Sequence, residues 1–290
     1  MITPSSTLAR LHTSPAAPVY LVLAALGALY APAFFEFSQG PWRRPENGHA
    51  PFIIAIIIAA LVAKTPGLSP AARIARATAV ASALLLAAGL ALYAVGRAAG
   101  ADLLASGSLP IVFSAALALV GGFALVRALW FPIAMSGYLI IIPGWAIGAA
   151  TAPLKTFISE LVASGLAAFG LPIAHAGAVL SAGPYQLLVA EACSGVNSLI
   201  ALTSVGAAYL FMARKDDPRT ALIVGALLLP IAIVANIARV AILVLITYVF
   251  GYDAGQGFLH EGAGLLMFGA ALALVFLVDA AAARFKRSAP

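Results

Sequence analysis

The stretch Ala221–Phe250, ALIVGALLLPIAIVANIARVAILVLITYVF, decides the fold. Within it only Asn236 and Arg239 carry an amide or a charge, and the run exceeds the roughly 20 apolar residues that cross a bilayer as a helix. The same texture recurs along the chain in continuous Ala, Leu, Ile and Val runs, not in the ten-residue alternating segments of a barrel. Of the 290 residues 63% are hydrophobic and 9% charged, and the mean hydropathy is +1.06. A soluble domain carries about 25% charged residues. A chain this apolar cannot cover its surface with polar groups, so its solvent is lipid, where each backbone N–H and C=O must be satisfied internally. The expected fold is an all-α polytopic helix bundle.

About eight spans are expected, at 19–37, 50–64, 75–96, 108–126, 131–150, 196–213, 221–250 and 262–281. Pro and Gly inside several of them are tolerated in membrane helices. The net charge of +6 and pI near 9.7 come from basic residues scattered between spans, with no basic stripe, so nucleic acid is not an expected partner. Those residues report topology. With both termini in the cytoplasm, the inner segments hold Arg10, Lys64, Arg73, Arg76, Arg127, Arg214, Lys215, Arg219, Arg284, Lys286 and Arg287. The outer ones hold only Arg43, Arg44, Arg97 and Lys155. That asymmetry obeys the positive-inside rule. Residues 1–17 read as a mobile tail without a cleavable signal peptide, 18–284 as one transmembrane domain, and 285–290 as a cytoplasmic tail.

The longest connection, Thr151–Glu191, falls on the outer side. Leu154–Phe169 reads as an amphipathic helix along the membrane surface, with Leu154, Phe157, Ile158, Leu161 and Val162 on one face. Beyond it, Gly183–Pro184 between the β-prone runs AVLS and YQLLV predicts a small hairpin delivering the chain to Cys193.

An ionisable residue inside a span is a functional candidate. Arg239 lies about eleven residues from the outer end of its helix, roughly 16 Å, and Asn236, three residues earlier, shares its face. Snorkelling or a packing ion pair is the bland alternative. Cys193, in Val189–Leu199 (VAEACSGVNSL), is the sole cysteine, which excludes an intrachain disulfide. A lone cysteine is often an inert small hydrophobe, but the mouth of a helix with an arginine nearby favours a thiolate. Gly195 leaves room for a substrate backbone. His260 opens the last span in Gly257–Gly269, and a helix N-terminus keeps imidazole neutral and basic. Gly262 and Gly264 permit close packing around it. The three residues come from three consecutive spans and one half of the membrane. Thiol, imidazole and guanidinium are the parts needed to attack a carbonyl and hold the oxyanion.

EACSGVNSL, then PIAIVANIARV, then HEGAG resembles the exosortase/archaeosortase family of membrane cysteine transpeptidases, over roughly residues 130–281. The resemblance implies a catalytic triad of Cys193, Arg239 and His260. His260 is similar to bacterial members, where archaeal relatives commonly have Arg. Asn197 and Asn236 are then supporting groups and Ser194, Gly195 and Glu261 neighbours of the substrate, while Glu191 either orients His260 or, the simpler account, is an interfacial carboxylate on a solvated edge. The implied partners are exported proteins with a C-terminal motif, a hydrophobic span and a basic cluster, besides the lipid bilayer. The implied setting is a bacterial inner membrane with the site facing the periplasm. Neither cofactor nor metal is expected, and the extra C-terminal domain of some relatives is not expected either.

Two other readings stay open. Ala192–Gly195 is one residue from the G-x-S-G of rhomboid-type proteases, with Ser194 as nucleophile. A transporter or a scaffold for envelope polysaccharide assembly would use Arg239 for an anionic substrate without needing Cys193. A zincin is excluded because His260–Glu261 is followed by Gly264 where H-E-x-x-H requires histidine.

Overall fold

The computed structural model describes residues 16–44, 47–68, 74–188, 195–214, 217–256 and 258–288. For 188, 195–198, 255–256, 258–261 and 285–288 it describes the backbone only. The helices are α1 (Ala17–Gln39), α2 (Ala50–Lys64), α3 (Arg76–Ala98), α4 (Asp102–Ala128), α5 (Trp130–Ser136), α6 (Gly144–Ala168), α7 (Gly195–Ala213), α8 (Pro218–Phe250), α9 (Tyr252–Gln256) and α10 (Phe258–Ser288). Strands β1 (Ile173–Ala176), β2 (Val179–Ala182) and β3 (Tyr185–Leu188) lie between α6 and α7.

Six helices are long and apolar enough to cross a membrane: Ala17–Gln39, Ala50–Gly67, Arg76–Ala98, Asp102–Ala128, Pro218–Phe250 and Gly262–Arg284. A seventh is reached if Trp130–Leu139 and Gly144–Ala168 count as one span, and Leu199–Ala213 is a shorter apolar helix. Each expected span therefore contains helix. Leu21, Phe35, Phe123, Leu222 and Leu265 are all at least two-thirds exposed. That is the inverse of a soluble surface, and it fits helices solvated by lipid tails. The chain is a multi-pass membrane protein.

The chain divides into two compact units at Pro143/Gly144. In the first, α3 and α4 form a close hairpin. At Gly96 a Cβ would stand 2.4 Å from the Ala105 backbone nitrogen, and the turn takes positive φ at Gly100. Tyr30, Ala33 and Phe37 of α1 pack on Ala105, Leu109 and Val112 of α4 and on Trp42. The Tyr30 hydroxyl meets Ser108 Oγ at 2.6 Å. Arg97 at the end of α3 pairs bidentately with Glu36 of α1. Helix α4 begins six residues before the expected 108 and turns at Gly122 (φ 67°).

The second unit is built around α8. Asp217 caps it, accepting from the Thr220 hydroxyl at 2.7 Å and from the Thr220 amide at 3.4 Å, and Pro218 occupies the first turn. One part of α8 packs Val240 and Val244 against Ile158, Val162 and Ala163 of α6 and against Ile173, Leu180, Ala182 and Leu187 of the sheet. Another part packs Val224, Leu228, Ile231 and Ala232 against Leu202 and Leu210 of α7 and Ala271 and Val275 of α10.

The connection expected from Thr151 differs in detail. Helix α6 runs unbroken from Gly144 to Ala168, so the expected span end and amphipathic helix are one element. Its apolar residues divide. Ile158 and Val162 are buried against the sheet, whereas Phe157 and Leu161 face outward at 53% and 45% exposure. The expected hairpin is present as β2–β3, with Ala182 opposite Tyr185, and β1 adds a third antiparallel strand on β2. Gly177 and Gly183 hold positive φ (59° and 58°) at the first position of two-residue turns, where a type II′ turn requires glycine.

Candidate functional site

Asn236 and Arg239 sit one turn apart on α8, buried to 5% and 8% exposure. An arginine at such depth costs at least about 2.5 kcal/mol unless its surroundings are polar, so the packing around it is informative. A cavity of about 20 Å³, the scale of one water molecule, is lined by Asn236, Arg239, Leu202 of α7, and Gly264, Met267 and Phe268 of α10. Asn236 Oδ1 is buried and has no hydrogen-bond partner among the described residues. Gly264 is what lets α10 approach the guanidinium. A Cβ there would stand 3.0 Å from Arg239 Nη2, 3.2 Å from Cζ and 3.5 Å from Nε.

Helices α7 and α10 run in the same direction beside α8, which settles where their N-termini lie. Near their C-terminal ends, Arg214 grips the Asp279 carboxylate with Nε and Nη2, each at 2.7 Å, and the Tyr209 hydroxyl donates to the same carboxylate at 2.6 Å. Asp279 is 2% exposed. Closer to their N-terminal ends, Leu202 and Gly264 share the Arg239 cavity. Gly206 of α7 keeps the packing tight, since a Cβ there would meet Leu228 Cδ2 at 2.5 Å. Both N-termini therefore lie beyond Arg239 at the same end of the unit. Gly264 is four residues after His260, one turn or about 6 Å along α10, and residues so spaced share a helix face.

The expected site residues divide accordingly. Asn236 and Arg239 are brought together in one cavity, with Gly264 as their wall. Gly195 opens α7 with Asn197 in its first turn, and His260 and Glu261 lie in the first turn of α10. The side chains of Asn197, His260 and Glu261 fall outside the description, as do Glu191, Cys193 and Ser194 altogether. Among the described residues no group of three His, Cys, Asp or Glu side chains has metal-binding geometry.

Residues 42–277 match the family model described as transmembrane exosortase. The chain belongs to the transmembrane exosortase family. No curated protein and no solved structure matches it. The match covers most of the chain and extends well before the 130–281 region whose motifs carry the likeness, taking in α2, α3 and α4.

Asp279 is a buried ionisable residue outside the set of expected site residues. A carboxylate inside an apolar 20-residue segment is a signal of the same kind as Arg239, and Arg214, treated as a topology marker, is its partner. Gly264 is expected to permit close packing around His260, whose side chain lies outside the description; among the described residues the atoms it accommodates belong to Arg239.

Proposed function

We propose that this chain is a membrane-embedded cysteine protease and transpeptidase that cleaves C-terminal sorting signals of exported proteins at the outer face of the cytoplasmic membrane. Cys193 gives its thiol proton to the His260 imidazole, and the resulting thiolate attacks the carbonyl carbon of the scissile peptide bond. The resulting oxyanion is held by Arg239. His260 donates a proton to the departing amine nitrogen as the C–N bond breaks, leaving a thioester on Cys193. An incoming amine or water, deprotonated by His260, attacks that thioester and releases the thiolate. The division of labour follows general requirements for nucleophilic catalysis and electrostatic stabilisation.

The observation that carries the reading is the burial of Arg239 against Gly264, one turn from His260, within a chain that matches the exosortase family from 42 to 277. A buried guanidinium facing a small cavity is suited to bind a developing negative charge, since desolvated donors act far more strongly than exposed ones. The positive-inside asymmetry supports placing the N-terminal ends of α7 and α10 outward and both termini in the cytoplasm.

The test is processing of a co-expressed reporter carrying a C-terminal motif, one hydrophobic span and a basic cluster. Cys193→Ala and Arg239→Ala are both expected to abolish cleavage, with protein levels and unfolding midpoints preserved. Full cleavage by Cys193→Ala refutes the thioester mechanism. If Arg239→Ala nonetheless removes function, the anion-binding transporter or scaffold reading takes its place.

A further inference from the structure

We propose that the outer edge of β3 binds the substrate as an added β-strand, so that the segment of the exported protein entering the site is recognised by main-chain hydrogen bonds. This rests on the reading of Cys193 as the nucleophile and names how its peptide is presented.

The sheet has the order β1–β2–β3, and among the described residues no strand pairs with the far edge of β3. The register identifies the groups at that edge. Two-residue turns make Ala176–Val179 and Ala182–Tyr185 the hydrogen-bonded closing pairs. Alternation along an antiparallel ladder then makes Leu180–Leu187 bonded and Ser181–Gln186 and Val179–Leu188 unbonded. On β2, Val179 and Ser181 spend their N–H and C=O groups on β1, consistent with the same register. The N–H and C=O of Gln186 and Leu188 therefore point away from β2, along the outer edge, and Gln186 is exposed. Such an edge is a template for a further strand.

Three observations commit the edge to a peptide substrate. The strand ends close to the nucleophile in sequence: Cys193 is five residues past Leu188, so it lies within at most about 18 Å of it. The sheet is anchored where the Arg239 helix passes, since Leu180, Ala182 and Leu187 pack on Val240 and Val244, the latter five residues beyond Arg239. The chemistry also requires an extended substrate, because a carbonyl within a helix is already hydrogen-bonded and screened by the helix. A bonded β-strand partner holds its chain extended and fixes the register of its carbonyls against a neighbouring nucleophile.

The test uses the purified full chain in detergent or nanodiscs and a synthetic peptide covering the reporter's cleavage motif. Gln186→Pro removes one outward N–H without touching the β2–β3 ladder, a position at which edge strands tolerate proline. It is expected to raise KM roughly five- to tenfold, the loss of about one hydrogen bond, with kcat within about twofold. Gln186→Ala keeps the main chain and is expected to change KM less than about twofold. In wild-type protein, peptides N-methylated at successive amides are expected to lose binding at every second position, because alternate groups of an added strand face β3. Unchanged KM for Gln186→Pro, or N-methylation tolerated without alternation, overturns strand addition. If Gln186→Pro fails to fold, the N-methyl series decides alone. Cleavage by Cys193→Ala would instead refute the nucleophile assignment, a separate result.

Discussion

The contact between Gly264 and Arg239 allows a graded test of the arginine's role without altering the arginine. A Cβ at 264 would lie 3.0 Å from Nη2 and 3.2 Å from Cζ. Carbon-centred contacts are comfortable at about 3.5–4.0 Å, so alanine forces the guanidinium to move by roughly half an ångström. Misplacing a catalytic group by about 1 Å can cost about 10²-fold, which makes roughly tenfold in kcat the expectation for Gly264→Ala. Gly264→Val adds two methyl groups in the same place. It is expected to approach the loss from deleting an oxyanion donor, about 10²–10³-fold. Overpacking also costs about 1–3 kcal/mol of stability, so unfolding midpoints in detergent must be recorded alongside kcat and KM on the peptide substrate. The decisive comparison is made in the Arg239→Lys background. If Gly264 acts through the guanidinium, its substitution by alanine costs less than about twofold there, because the slimmer ammonium leaves space. Equal penalties in both backgrounds, or wild-type kcat for Gly264→Val, would refute the reasoning.

Two further outcomes are expected from the structure. Asp279→Ala leaves Arg214 facing a buried apolar site and is expected to destabilise the second unit by about 2–4 kcal/mol, below the upper range for broken buried pairs because the Arg214 side chain is 23% exposed. Replacing both partners by leucine should recover much of that loss in thermal unfolding, and a double variant no better than Asp279→Ala alone would show the pair to be unimportant. His49, just before α2, donates from Nε2–H to the Tyr138 carbonyl oxygen at 2.9 Å, and its Nδ1 is buried. Burial holds its pKa below 6.5, partly offset by that backbone hydrogen bond. The unfolded chain then binds the proton more readily, so the stability from neutral His49 is complete above about pH 6.5 and is lost as pH falls from there toward the folded-state pKa. Unfolding midpoints of wild type should drop between pH 7.5 and 5 more than those of His49→Gln, and parallel profiles would rule this out.

Much of the helical fold was legible because lipid makes a one-dimensional demand. A span must be long, apolar and self-bonded, so Ala221–Phe250 and Ala50–Lys64 announce themselves by composition alone. Turn chemistry was legible for the same local reason, since Gly183–Pro184 between β-prone runs specifies β2–β3. Strand β1 was missed because IAHA has no pattern of its own and owes its state to pairing with β2 and burial of Ile173 against α6 and α8. The break at Thr151 was wrongly expected because apolar composition changes there, whereas the α6 backbone continues with Pro153 inside it.

The site divides along the same line. The residue types of a thiol and an imidazole at the mouths of their spans and a guanidinium within the span between them, and the membership they point to, were present in the chain order of EACSGVNSL, Arg239 and HEGAG. Sequence alone therefore determined the membrane class, the helices, the β2–β3 turn and the identity of the candidate residues, because each depends on groups close together in the chain. Tertiary structure alone decided that α7 and α10 run parallel beside α8, that Asp279 holds Arg214 and Tyr209, and that Gly264 yields its space to Arg239. Those pairings join residues 25 to 70 positions apart. No local pattern encodes them, because they follow from which faces of separate helices can bury together.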